Sequence, residues 1–314
     1  MNARVGDLKR ILEEEREALL SSGVESQPAD GCALAARTLA LYDRIIVAAI
    51  DAVGVPPTVQ PVALGSYGRG DFCPYSDLDL MLLVDDPDAK VEPLLYALWD
   101  LGLQLGHAVR TVDEAAELGR QDHTILSSLL ESRALRPGPQ LGALEARLNA
   151  LFAEPGQTTA FVEAKMQEAR ARRQRYGETI YMLEPNVKES PGGLRELHLV
   201  RWVGKSRFKA ATPRELLMKG YLSEREARAL ERAESFMLWT RWHMHRLSGR
   251  RQDLLRFDLQ ERLAELLTEA ESKRVRTERF MRAFYFHAQA LQQHANSIAE
   301  RGGRHRRRDR SQTG

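Results

Sequence analysis

The sequence predicts an α+β chain in which a small mixed sheet lies near the N-terminal end and an all-helical domain follows. Three observations carry this. Short apolar runs at 59–64 and 78–84 have strand length and are separated by a glycine-rich turn. From residue 139 onward the pattern is almost wholly helical and rich in strong helix formers. At 314 residues the chain is long enough for two cores.

The elements follow in order. Residues 5–23 and 31–54 read as helices, parted by a polar turn with Pro28 and Gly31. Strand 59–64 leads into Gly65-Ser66-Tyr67-Gly68-Arg69-Gly70-Asp71, and strand 78–84 comes next. A helix over 92–105 precedes a strand around 107–110, and 113–119 reads as a short helix with Thr111 as its cap. Residues 126–135 are apolar enough to be buried but fit helix and strand alike. The helical stretch breaks at 181–194, where Pro185, Pro191, Gly192 and Gly193 forbid a continuous helix. The expected division is N-terminal helices at 1–57, the sheet domain at 58–138, a helical domain at 139–300 and a disordered basic tail at 301–314.

Hydrophobic content of 43% and charged content of 29% fit a soluble globular protein. A net charge of +2 gives no electrostatic case for nucleic acid, and no membrane segment is expected. Cys32 and Cys73 offer neither metal spacing nor a disulfide framework, so a reducing cytoplasm is the expected setting. The charged first twenty residues do not read as a signal peptide.

The chemistry is concentrated at Ser76-Asp77-Leu78-Asp79-Leu80. On a strand, residues two apart face the same way, with Cα atoms roughly 6–7 Å apart. Asp77 and Asp79 can then share a hard cation, Mg²⁺ or Mn²⁺, as catalytic metal ligands. Gly65 and Ser66 are expected to offer backbone N–H groups and a hydroxyl to phosphates. The bland reading is an ordinary Gly-Ser turn and a capped strand; the two halves together, in this order, favour nucleotidyl transfer. Arg69 either neutralises phosphate or pairs with Asp71. Asp113 and Glu131 compete as a third carboxylate, with a helix-terminus acid and a local salt bridge as the alternatives. Lys188 and Arg195, in the 184–195 loop, suit a triphosphate or an acceptor protein, against a purely structural turn. His107 reads as a packed core residue sooner than a substrate-orienting one. His243 and His245, two apart on a helix, diverge and read as structural. Trp99, Trp202, Trp239 and Trp242 are expected to fill cores, and the arginines from Arg304 to Arg310 to be a solvated tail.

The glycine-serine and Asp-x-Asp pattern resembles that of the DNA polymerase β-like nucleotidyltransferases. With Pro74-Tyr75 before Ser76, Leu98 to Leu103, Gly106-His107-Ala108-Val109-Arg110, Glu184 to Arg195 and Phe257-Asp258-Leu259-Gln260, it is similar to the N-terminal part of the bacterial PII-protein uridylyltransferase/uridylyl-removing enzymes. The resemblance covers roughly residues 7–295. It implies a polymerase β-like sheet domain and a helical domain. It also implies transfer of UMP from UTP to a tyrosine of a PII-type nitrogen-signalling protein. That family continues into an HD-type hydrolase and ACT sensor domains. No His-Asp dipeptide occurs here, so the resemblance implies transfer without removal or glutamine sensing, with a separate HD/ACT partner chain as one arrangement. Ser190 stands where glycine is usual and Glu196 where aspartate is usual. The alternatives are AMP transfer from ATP to another acceptor, and a non-catalytic module that binds nucleotide or PII.

Overall fold

The computed structural model of the chain describes residues 2–267 and 272–309, the side chains of 2–4 and 303–309 excepted. It divides into two compact units. One comprises Met1–Val24 and Ala33–Leu151, the other Glu25–Cys32 and Phe152–Gly314.

In the first unit, α1 (Asn2–Ser22) and α2 (Gly31–Val53, from Ala33 onward) accompany a four-stranded sheet. The strands are β1 (Val59–Ala63), β2 (Leu78–Val84), β3 (Leu105–Arg110) and β4 (Arg133–Ala134), in the order β3-β2-β1-β4. β1 runs antiparallel to β2 and β4, while β2 and β3 are parallel, so the sheet is mixed. α3 (Gly65–Arg69), α4 (Glu92–Asp100), α5 (Val112–Gln121), α6 (His123–Leu130) and α7 (Pro139–Ala153) connect and flank the strands. β1 is buried throughout, as the middle of a covered sheet requires, and Val62, Leu82, Leu83, Ile46 and Ile50 share the core.

Three local departures from the sequence reading have identifiable causes. α4 stops at Asp100, because Gly102 takes a left-handed φ of +73° and ends the helix. The ambiguous stretch 126–135 resolves into the end of α6 and the two-residue β4, with Arg133 forming a two-pronged pair to Asp43 of α2 at 2.8 and 2.9 Å. α7 belongs with the sheet because the buried Gln60 side chain of β1 accepts from the Leu141 N–H at 2.7 Å and donates to the carbonyls of Arg136 and Gly138. The compact division therefore falls after Leu151 and takes the N-terminal helices with the sheet, unlike the expected 1–57, 58–138 and 139–300 segments. Thr111 caps α5 through the Glu114 N–H, in a reciprocal capping box.

The second unit holds α8 (Gln157–Tyr176), α9 (Leu194–Val203), α10 (Pro213–Met218), α11 (Glu224–Ser248), α12 (Phe257–Glu265) and α13 (Lys273–Asp309), with a π turn at Gly204–Phe208. α11 is its central helix: Trp239, Trp242, His243 and His245 are all fully buried, and Phe236 stacks on Phe280 and His287. The Glu25–Cys32 segment joins this unit through hydrogen bonds. Ser235 donates to the Ala29 carbonyl at 2.7 Å, and the Trp239 indole to the Ser26 carbonyl at 3.1 Å. A Cβ at Gly31 would lie 1.8 Å from the Ser235 carbonyl oxygen, so only glycine fits that approach. α13 ends at Asp309, within the 301–314 stretch expected as a basic tail. Gly302 is buried against Val203, where a Cβ would lie 2.9 Å from Cγ1, and arginine continues a helix readily. Arg310 to Gly314 lie outside the described residues. Among the described residues, no helix is long and apolar enough to cross a membrane.

The buried His243 sets an acid limit on this unit. Its ring meets the Ser26 hydroxyl at 3.0 Å and accepts from Arg246 Nε at 3.2 Å. Burial, reinforced by the Arg246 charge, pushes its pKa down to about 3, and burial with Arg232 pushes His287 down to about 4. Both pKa values fall below the unfolded value of 6.5, so the neutral rings stabilise the fold fully above that pH. This contribution is lost as pH falls toward 3–4. Urea unfolding should therefore show stability falling between pH 7 and pH 4, less steeply in His243→Gln. A profile that is equally steep in that variant contradicts the assignment.

Candidate active site

Asp79 is the second residue of β2, and Asp77 stands one residue before the strand. The chain reaches them through Pro74-Tyr75, where Tyr75 takes a left-handed φ of 61°. That conformation costs about 1–2 kcal/mol for a residue with a Cβ. It is held by the Arg16 guanidinium, 5.1 Å from the Tyr75 ring centroid, and by the Ser76 hydroxyl, which accepts from the Cys73 N–H at 3.3 Å.

The backbone around Asp79 is fixed from both sides. Its carbonyl accepts from the Leu64 N–H at 2.9 Å, and it pairs with Gly106 of the parallel β3. Its carboxylate lies against two glycines. A Cβ on Gly65 would meet Asp79 Oδ2 at 2.6 Å, and a Cβ on Gly106 would meet Oδ1 at 2.7 Å. Gly65 also needs its glycine for a φ of +57°. The glycine turn is folded as the five-residue α3, closed by Gly70 at φ +83°. Gly68 is confined too, since a Cβ there would stand 2.3 Å from the Glu131 carbonyl oxygen. Ser66 is half-buried, and its hydroxyl makes no hydrogen bond to the described residues.

Of the two roles open to Arg69, the structure shows the pairing. Its side chain is buried, Nε meets Asp71 at 3.1 Å, and Nη1 bonds to Glu131. Burial works against the charged form, yet the two carboxylates raise its pKa above the ordinary value. Glu131 is thereby a salt-bridge partner, and Asp113 is exposed and paired with Arg147 at 2.8 Å. Among the described residues no group of three or more acidic, His or Cys side chains is arranged to hold a metal. A pair of carboxylates nevertheless suits Mg²⁺, which completes its shell with water and substrate phosphates. Asp79 is half-buried, with both carboxylate oxygens close to glycine backbone.

Alternation along β3 turns His107 to the opposite face from Gly106, and so from the Asp79 carboxylate. His107 is exposed, not packed, with its ring edge-on to Trp99 at 5.6 Å. Trp99 is itself 45% exposed on the outer surface, so it departs from the expected core role; Trp202, Trp239 and Trp242 are buried. Gly106 is the site residue that the motif alone does not single out; a glycine inside a strand is the signal for close approach.

Lys188 and Arg195 belong to the second unit. Their loop is closely hydrogen-bonded. Asn186 Oδ1 accepts from the N–H groups of Lys188 and Glu189 at 3.0 and 2.8 Å, and the Arg195 N–H donates to the Lys188 carbonyl at 3.0 Å. Val187 donates to the Asp253 carbonyl at 2.8 Å. Gly192 takes φ +75° with no room for a Cβ beside Ala288. Ser190, at the usual glycine position, accepts from the Asn186 N–H at 2.8 Å. Glu196, at the usual aspartate position, is fully buried between Arg172 at 3.2 Å and Arg173 at 2.6 Å.

Two substitutions separate site from scaffold. Gly106→Ala should force the Asp79 carboxylate to turn, lowering catalytic rate at least about tenfold with little change in melting temperature. Glu131→Ala should cost about 1–3 kcal/mol in urea unfolding by removing one of the two carboxylates that compensate the buried Arg69 charge. A Glu131→Ala protein as stable as wild type contradicts its assignment to the scaffold.

Comparison with known proteins gives a family match in each unit. Residues 56–133 match the nucleotidyltransferase domain model, and residues 160–299 match the GlnD PII-uridylyltransferase model. The bifunctional uridylyltransferase/uridylyl-removing enzyme of Burkholderia orbicola (strain AU 1054) is 40% identical over 267 residues, which are 83% of this chain and 31% of that protein. Those of Burkholderia vietnamiensis and Burkholderia thailandensis are also 40% identical, over 83% and 79% of this chain and 31% and 29% of the relatives. The chain thus spans about a third of the length of the curated relatives it matches. Over residues 56–133 it is similar to nucleotidyltransferase domains, and over most of its length to the N-terminal part of the bifunctional uridylyltransferase/uridylyl-removing enzymes.

Proposed function

We propose that this chain transfers UMP from UTP to a tyrosine of a PII-type signalling protein, with Mg²⁺ held by Asp77 and Asp79. The observation that carries the reading is the Asp79 carboxylate seated against Gly65 and Gly106, neither of which has room for a Cβ beside it. The names of the matching family and relatives favour uridylyl over adenylyl transfer. Mn²⁺ fits the same pair of oxygen ligands.

When bound, the cation supplies charge stabilisation at the reacting phosphate. Asp77 and Asp79 fix its place from the start of β2. Gly65 lets the backbone approach the phosphates, and the Ser66 N–H and hydroxyl are the donors beside it. In the reaction, the phenolic oxygen bonds to the α-phosphorus as the bond to the bridging oxygen breaks. Pyrophosphate leaves with the electron pair, and the phenolic proton passes to solvent. Asp71 and Glu131 hold Arg69, which in turn anchors α3 behind the glycine turn.

The test is label transfer from UTP, and in parallel ATP, to purified PII-type protein with Mg²⁺. Label should pass from UTP, and Asp77→Asn or Asp79→Asn should each lower the rate by on the order of 10³-fold or more while melting normally. Near-normal turnover in either variant contradicts the proposal, and transfer from ATP alone would replace UTP as the donor.

A further inference from the structure

Around the 184–195 loop, cations crowd beyond what their carboxylates satisfy. The Lys188 side chain is 20% exposed, and its ammonium makes no hydrogen bond to the described residues. Its close anion is Glu189, whose Oε1 lies 4.0 Å away. That same oxygen accepts from Arg195 Nε at 3.3 Å, while the two terminal nitrogens of Arg195 bond to no described residue. Arg172 lies deeper, and its buried Nε has no hydrogen-bond partner. Arg241 is also buried, with Nε on Asp253 at 2.7 Å.

These positive charges press on one another. Burial first, then Arg195 and Arg241, lower the Lys188 pKa despite the pull of Asp253 and Glu189. Burial also lowers that of Arg172, with Arg195 adding to the effect and Glu196 and Glu189 opposing it. The hydrogen bonds that fix the loop backbone keep Lys188 and Arg195 from moving apart. An ammonium has three donors and a guanidinium has a planar fork. One shared carboxylate oxygen leaves most of these donors open. A chain of phosphates carries the acceptor oxygens and negative charge that would fill them.

We propose that Lys188 and Arg195 form a polyphosphate site in the helical unit, where the Glu189 carboxylate is a built-in counter-ion displaced by the incoming phosphate. The outer groups are reachable, with Lys188, Glu189 and Arg195 at 20%, 21% and 28% exposure, while Arg172 and Arg241 are buried at 8% and 4%. The ligand is a nucleoside triphosphate tail or free pyrophosphate. The site stands on its own cations and needs neither the Asp77–Asp79 pair nor a metal.

Calorimetric titration of the full chain with tripolyphosphate in EDTA tests it. Saturable binding is expected, weakened about tenfold or more by Lys188→Met or Arg195→Met, retained by Lys188→Arg, and tightened by Glu189→Gln. Asp79→Asn should bind as wild type, which separates this site from failure of the proposed transferase reaction. Parallel titrations with UTP and pyrophosphate distinguish the two sources by which binds more tightly. Absence of binding by wild type, unchanged affinity in both methionine variants, or weaker binding by Glu189→Gln would each overturn the proposal.

Discussion

The Asp79 carboxylate can lie where it does only because both neighbouring stretches of chain present a glycine to it. Gly65 at the start of α3 and Gly106 on β3 leave its oxygens the space that any Cβ would fill. This condition depends on register. Leu64 must donate to the Asp79 carbonyl, and Asp79 must pair with Gly106. A one-residue slip of β2 would turn Asp79 to the other face and bring Leu78 or Leu80 to the site. The apolar residues of β2, buried from Leu80 to Val84, oppose that slip. Core packing and site chemistry are therefore coupled through one strand.

Buried charge fixes the two regions that carry the candidate site residues. Arg69 between Asp71 and Glu131 ties α3 to the end of α6, and Glu196 between Arg172 and Arg173 ties α9 to α8. Such networks stabilise little relative to apolar packing, but breaking one leaves an uncompensated charge inside the protein. Their effect here is positional: each holds the backbone beside a glycine-rich turn.

The fold was legible wherever the signal was local. The alternation of short apolar runs and turns located β1 and β2, Thr111 as a cap located α5, and the run of helix formers after 139 located the helical region. The Asp-x-Asp motif was legible because its two acids lie side by side in sequence. What escaped depends on distant partners. Arg69 meets Glu131 across 62 positions, and nothing near either residue reveals the pair. The placement of α7 with the sheet rests on the Gln60 side chain, 81 positions from Leu141. Trp99 was misplaced because an aromatic residue on a short helix fits a core or an exposed edge alike, and tertiary context decided. The counter-ion role of Glu189 required knowing which oxygen faces which nitrogen.

The central claim is that Asp77 and Asp79 together hold a divalent cation in the presence of nucleotide. The most direct measurement is electron paramagnetic resonance of Mn²⁺ titrated into the protein with a nonhydrolysable UTP analogue. The account predicts a saturable protein-bound Mn²⁺ signal in the wild type that is lost in both Asp77→Asn and Asp79→Asn. An unchanged bound signal in either variant would contradict it.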